Sequence, residues 1–268
     1  MLDDVKQWQA QRHAELSAPD SWLGLVGLFW LEAGTNRVGS GEDCLVRLPG
    51  GPAHLGDLRC EGNRAFWQPV GGEARELQTD IDGQPTAVEF QNWSFFVIDR
   101  APKEVPLGDS NRLAVRVRDR NWALNRPFGG LAYFDFDPAW QIEAEWQELS
   151  PALTMEVPNV TGDLKTVEVT HQAVFEAAGQ THALLPMSVG EREVFFVFRD
   201  RTSGRETYGA GRFLKADRPA DGTISLDFNR AYNPPCAFTA FATCPLPPPE
   251  NWLPFAIPAG EKKWVKAD

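Results

Sequence analysis

Residues 193–214 read EVFFVFRDRTSGRETYGAGRFL, and residues 223–229 read TISLDFN. Positions 194–198 are apolar throughout, the pattern of a strand buried on both faces and therefore central in its sheet. Residues 199–204 read as a turn. Asp200 and Thr202 can accept from nearby backbone N–H groups, and Gly204 can take a positive φ. A strand over 206–214 is expected next. Over 223–229, Ile224, Leu226 and Phe228 share one face while Thr223, Ser225, Asp227 and Asn229 share the other, a strand period. The loop RPADGT, with its turn at Asp221-Gly222, would join the two strands as a hairpin. In that register position 214 faces 229 and 212 faces 231, so Arg212, Asp227 and Asn229 lie on one face.

Outward from this stretch the same texture continues. Short apolar runs such as DCLVRLPGG, NRAFWQPVGG, WSFFVIDR and NRLAVRVRDR fill residues 35–120, broken by Gly, Pro, Asn and Asp. WQIEAEW and LKTVEVTHQAVFEA make a second series. Residues 3–17 read as a helix with Val5, Trp8 and Leu16 near one face, stopped by Pro19. Residues 21–31 are compatible with a buried helix or a strand. The chain is therefore expected to be mainly β: β-sandwich or barrel-like antiparallel sheets, an N-terminal helix and a long Pro-rich C-terminal loop. The expected organisation is a helix over 1–19, a first β sub-structure over 20–128 and a second over 129–268, with one continuous domain as the alternative. Ten Trp and seventeen Phe suit half-buried pleated surfaces, and 23 Gly with 21 Pro imply many turns.

A net charge of −11 opposes binding to phosphate backbones, so no nucleic-acid partner is expected. The N-terminus is polar and acidic rather than basic then apolar, unlike a signal peptide. The longest apolar run, 22–31, is interrupted by Gly24 and Gly27 and is about half the roughly 20 residues of a membrane span. A cytoplasmic protein without a membrane partner is expected, its oligomeric state left open. The four cysteines form no C-x-x-C pair, and nucleotide, P-loop, G-x-S-x-G and H-E-x-x-H motifs are absent, so neither a cofactor nor a metal is expected.

The candidate site lies in 199–233. Arg199, Arg201 or Arg205 with the hydroxyls of Thr202 and Ser203 would suit an anion, although a plain turn explains the same residues. Arg212 beside Asp227 and Asn229 is either a buried pair that fixes the sheet or the floor of a ligand site. Ligand-binding candidates are Arg199, Thr207, Tyr208, Arg212, Asn229, Arg230 and Asn233, with Asp227 as a candidate catalytic base. The expected partner is a small polar or anionic ligand, bound or hydrolysed near Tyr208, Arg212, Asp227 and Asn229. The alternative is a non-catalytic scaffold or protein-binding β module whose polar motif is structural. Cys236 and Cys244 read as small buried thiols packed against proline. A nucleophilic role would need a base, for which His171 and His182 have the right chemistry.

The strings FRDRTSGRETYGAGRFL and LDFNRAYNPPCAFTAFATCPLPPPENWLPFAIPAGEK resemble the signature of an uncharacterised prokaryotic family, domain of unknown function 1684, and SWLGLVGLFWLEAGTNRVGS fits its early part. Trp252 departs from the Arg expected there. The resemblance implies no catalytic residue, but it implies that the polar residues from Arg199 to Asn233 form one unit. GTNRVGSGEDCLVRLP also resembles the opening of forkhead-associated domains, which implies a sandwich-like shape but not the Ser and Arg that grip phosphothreonine.

Overall fold

The computed structural model describes residues 1–100, 112–126, 128–162, 164–219 and 221–265. Asn111 and Ala220, expected in a strand and a turn, lie outside the described residues. The protein is mainly β with antiparallel sheets and an N-terminal helix; among the described strand pairs only Gly34–Gly39 with Val46–Arg47 is parallel. Two compact units are present: Ser17–Phe128, and Met1–Leu16 together with Gly129–Asp268. No helix among the described residues is long and apolar enough to cross a membrane.

In the unit Ser17–Phe128, a four-stranded sheet orders Leu25–Trp30, Leu113–Asp119, Trp93–Asp99 and Val88–Phe90. A five-stranded sheet is built from short strands between Gly34 and Leu77. Leu113, Val115 and Val117 alternate into a core with Val97, Phe95, Leu58 and Trp67. The ambiguous segment 21–31 resolves into a 3-10 turn, Trp22–Gly24, and the strand Leu25–Trp30.

The other unit holds the dense stretch. One sheet orders Gln180–Leu184, Leu164–Ala177, Gln141–Pro158 and Thr223–Asp227. A second orders Ser188–Val189, Glu193–Phe198 and Arg212–Asp217. The all-apolar strand is central in its sheet, as its sequence requires. Phe196, Phe198 and Leu214 share a core with Ile224, Leu226, Phe228, Phe175 and Ala144.

The expected hairpin between the strands at 214 and 223 does not form. Arg212–Asp217 pairs with Glu193–Phe198, setting Phe198 opposite Arg212. Thr223–Asp227 pairs with the start of Gln141–Pro158, where Ile142 faces Leu226 and Ala144 faces Ile224. Apolar cross-strand partners stabilise an antiparallel ladder, and each strand finds better ones outside the hairpin. Both strands are also shorter than expected. Residues 206–211 are turns that include Gly211 at φ 101°, and the second strand gives way to the 3-10 turn Phe228–Arg230. Asp227 caps that turn by accepting from Asn229 N at 3.1 Å.

Leu2–Ser17 buries Val5 and Leu16. Its packed face also carries Trp8, which meets Tyr133 and Tyr232 at ring-centroid distances of 6.2 and 6.4 Å.

Candidate functional site

The polar residues expected in one place are divided among separate hydrogen-bonded clusters. The first is centred on Arg212, which is 1 % exposed. Its Nη2 donates to Asp200 Oδ2 (3.1 Å) and to the Ile257 carbonyl (2.9 Å), and its Nη1 donates to the Ala259 carbonyl. The guanidinium lies over the Phe198 ring, 5.1 Å from its centroid. Asp200 in turn accepts from Ile257 N (2.6 Å) and from Thr202 Oγ1 (2.7 Å). Thr207 Oγ1 closes this cluster against Thr202 Oγ1 at 2.8 Å. Burial lowers the Arg212 pKa, and Asp200 opposes that shift. The partner of Arg212 is thus Asp200 and not Asp227, because the strand that carries Asp227 belongs to another sheet. Arg212 joins the turn after the central strand to the C-terminal segment. The turn at 199–204 is present, with Gly204 at φ 84°, and the Thr202 and Ser203 hydroxyls are engaged by Asp200.

The second cluster surrounds Asp227. Its Oδ2 accepts from Gln141 Nε2 (3.1 Å), and its Oδ1 accepts from Asn229 Nδ2 (3.0 Å) and Asn229 N. Asn229 also exchanges two hydrogen bonds with the backbone of Asp137, at 3.1 and 3.0 Å. Arg230 approaches Asp227 Oδ2 at 3.4 Å without hydrogen-bond geometry. Arg199 stands apart, stacked on the exposed Trp252 at 4.8 Å. Tyr208 donates to the Cys236 carbonyl at 3.0 Å. His171 stacks on Trp146 and His182 lies against Phe255, so neither ring serves the cysteines.

The third cluster joins Asn233 to residues that no local motif singles out. Glu261 is fully buried. It accepts from Arg12 Nε (2.9 Å) and Asn233 N (2.7 Å), while Arg12 Nη2 donates to the Asn233 carbonyl (2.9 Å). Arg12 Nη1 is uncommitted among the described residues. Asn233 Nδ2 donates to the Lys262 carbonyl at 2.8 Å, but Asn233 Oδ1 is buried without a partner among the described residues. Tyr133, paired through its backbone with Glu261, has a buried hydroxyl in the same condition. Buried polar atoms are nearly always hydrogen-bonded, so two orphans on residues bonded to Glu261 need a reason. Aromatic rings enclose the cluster: Arg12 lies over Tyr232 (4.9 Å) and Phe238 (5.6 Å), Phe238 meets Trp264, and Lys262 lies over Phe134 (4.7 Å).

Local sequence explains how Glu261 arrives there. Gly260 has φ 78°, and a Cβ on it would lie 2.4 Å from the Ala231 carbonyl oxygen, so only glycine permits the approach. Glu261 N then donates to that carbonyl at 2.8 Å. Arg12 is carried by the helix at a spacing of four residues from both Trp8 and Leu16, a charged residue on the packed face. That misplaced charge was the one local signal pointing to this site.

Residues 126–262 match the family model described as a protein of unknown function, DUF1684. The chain belongs to the DUF1684 family. The matched region supplies Tyr133, Asn233, Glu261 and Lys262, while Arg12 lies outside it. The chain is also similar to an uncharacterized protein of Haloarcula marismortui whose structure was solved by NMR in solution. The identity is 33 %, over 53 % of this chain and 86 % of that one, with a TM-score of 0.41. No curated protein matches. DUF1684 carries no activity that could be transferred to these residues.

Burial raises the Glu261 pKa above the ordinary 4.5, and Arg12 and Asn233 offset this only in part. A raised folded-state pKa means that the folded protein holds the proton more tightly than the unfolded chain. The resulting stability is fully present below the unfolded value and is lost as pH rises through the folded one. Urea titrations from pH 4 to 8 should therefore show wild type losing stability relative to Glu261→Gln, which cannot ionise, as pH rises. A relative gain would mean that the ion pair with Arg12 outweighs burial.

Proposed function

We propose that this protein binds a small polar ligand at the cluster formed by Arg12, Tyr133, Asn233 and Glu261. The observation that carries this reading is the pair of buried, unpartnered atoms, Asn233 Oδ1 and Tyr133 Oη, on two residues that border the buried Glu261. Asn233 Oδ1 calls for a donor on the ligand, Tyr133 Oη takes either role, and Arg12 Nη1 favours an anionic oxygen. The rings of Trp8, Tyr232 and Phe238 favour a ligand with a flat apolar face. Of the residues expected from sequence, Asn233 serves this site. Arg212, Thr207, Asp227 and Asn229 take structural roles through the contacts that hold them. We also read the protein as soluble and cytoplasmic, with sandwich-like packing of its sheets.

Tyr133→Phe separates binding from folding. Deleting a buried hydroxyl that has no protein partner should leave stability unchanged or raise it by about 1 kcal/mol. A thermal-shift screen of carboxylates, phosphates and sugars should find a ligand that raises the wild-type midpoint and does so less, or not at all, in Tyr133→Phe. A hit that shifts both proteins equally would place binding elsewhere, and no hit across the three classes would remove the reading.

A further inference from the structure

Two thiols outside this cluster stand close together on the Pro-rich segment. Cys236 lies in the 3-10 turn Pro235–Ala237 and is half-buried, and Cys244 is buried. Cys236 N donates to Cys244 Sγ at 3.2 Å, which sets the Cys244 sulfur against the Cys236 backbone. Both positions are held from outside. Tyr208 Oη donates to the Cys236 carbonyl at 3.0 Å, and Val160 N donates to the Cys244 carbonyl at 3.0 Å. Asn159 and Pro245 form a bridge directly after Cys244. This anchoring fixes the backbone on both sides of the contact between Cys236 N and Cys244 Sγ.

We propose that Cys236 and Cys244 form a thiol–disulfide couple that is oxidised by a peroxide. The thiolate of Cys236, the more exposed of the two residues, attacks a peroxide oxygen. The O–O bond breaks, an alcohol or water leaves, and Cys236 becomes a sulfenic acid. Cys244 then attacks the Cys236 sulfur, the S–S bond forms, the S–O bond breaks and water leaves. In sum, two thiols and one peroxide give one disulfide, one alcohol or water, and one water, with two electrons passing to the peroxide. A dithiol reverses the couple by exchange. The hydrogen bond from Cys244, the leading cause, also lowers the Cys236 pKa despite burial, which raises the thiolate fraction. Cys44 contrasts with it: burial and the neighbouring Asp43 raise its pKa.

The test treats the full chain with hydrogen peroxide and maps peptides by mass spectrometry after alkylation. A Cys236–Cys244 disulfide should form ahead of any modification of Cys44 or Cys60 and should disappear on treatment with dithiothreitol. In Cys244→Ser, Cys236 should be trapped as a sulfenic acid and labelled by dimedone. In Cys236→Ser, both disulfide and label should be lost. Equal oxidation of all four cysteines, or a sulfenic acid at Cys236 in wild type that never resolves to a disulfide, would overturn the proposal. Both variants replace sulfur by oxygen and keep the number of side-chain heavy atoms. Circular dichroism matching wild type shows that a lost label reflects chemistry and not unfolding.

Discussion

Arg212→Met lowers the unfolding free energy by about 3–5 kcal/mol, the range for removing one partner of a buried ion pair. The loss has two sources. Asp200, whose side chain is fully buried, is left charged without its cation, and the Ile257 and Ala259 carbonyls lose their donor. Arg212→Lys keeps the charge but not the planar fork that reaches three acceptors on two segments, so its stability should fall between methionine and wild type. Urea unfolding at pH 7, followed by tryptophan fluorescence, measures both. A methionine variant within 1 kcal/mol of wild type would mean that the pair does not hold the C-terminal segment to the turn.

Asn251→Ala should cost about 3 kcal/mol or more. The side chain is fully buried and makes three hydrogen bonds: Oδ1 accepts from Leu185 N (2.9 Å), and Nδ2 donates to the Leu185 carbonyl (2.8 Å) and the Val197 carbonyl (2.9 Å). Truncation leaves one donor and two acceptors buried and unpaired, each at about 1–3 kcal/mol before any water enters. Asn251→Asp should be worse than alanine, because a carboxylate faces two carbonyl oxygens it cannot bond and carries a buried charge. The same unfolding measurement ranks the variants. Aspartate more stable than alanine would show that the pocket admits water or a proton.

Much of this fold was legible because its signals are local. The apolar run 194–198 announced a central strand, the alternation of Leu113, Val115 and Val117 announced a core face, and Gly204 marked a turn. The spacing of Val5, Trp8 and Leu16 announced a helix with one packed face. The hairpin does not form, because nearness in sequence does not make two strands pair. Periodicity fixes which face of a strand is buried, but not which strand lies beside it.

The candidate site followed the same division. Sequence singled out Arg212, Asp227, Asn229 and Asn233 as residues with polar work to do, and all four have it. It assigned Arg212 the wrong partner, since Asp200 and Asp227 are both plausible anions within fifteen residues and only the sheet order selects between them. Arg12 and Glu261, 249 residues apart, could not be joined by any local pattern. The sequence by itself determined the central strand at 194–198, the turn after it and the buried face of Ile224 and Leu226, because those depend on propensity and periodicity within a few residues. Tertiary structure alone decided that this region is a structural clip around Arg212 beside a separate cluster around Glu261. Buried charges and amides take their partners from whatever segment the completed core brings within 3 Å, and that choice is made by packing and not by order along the chain.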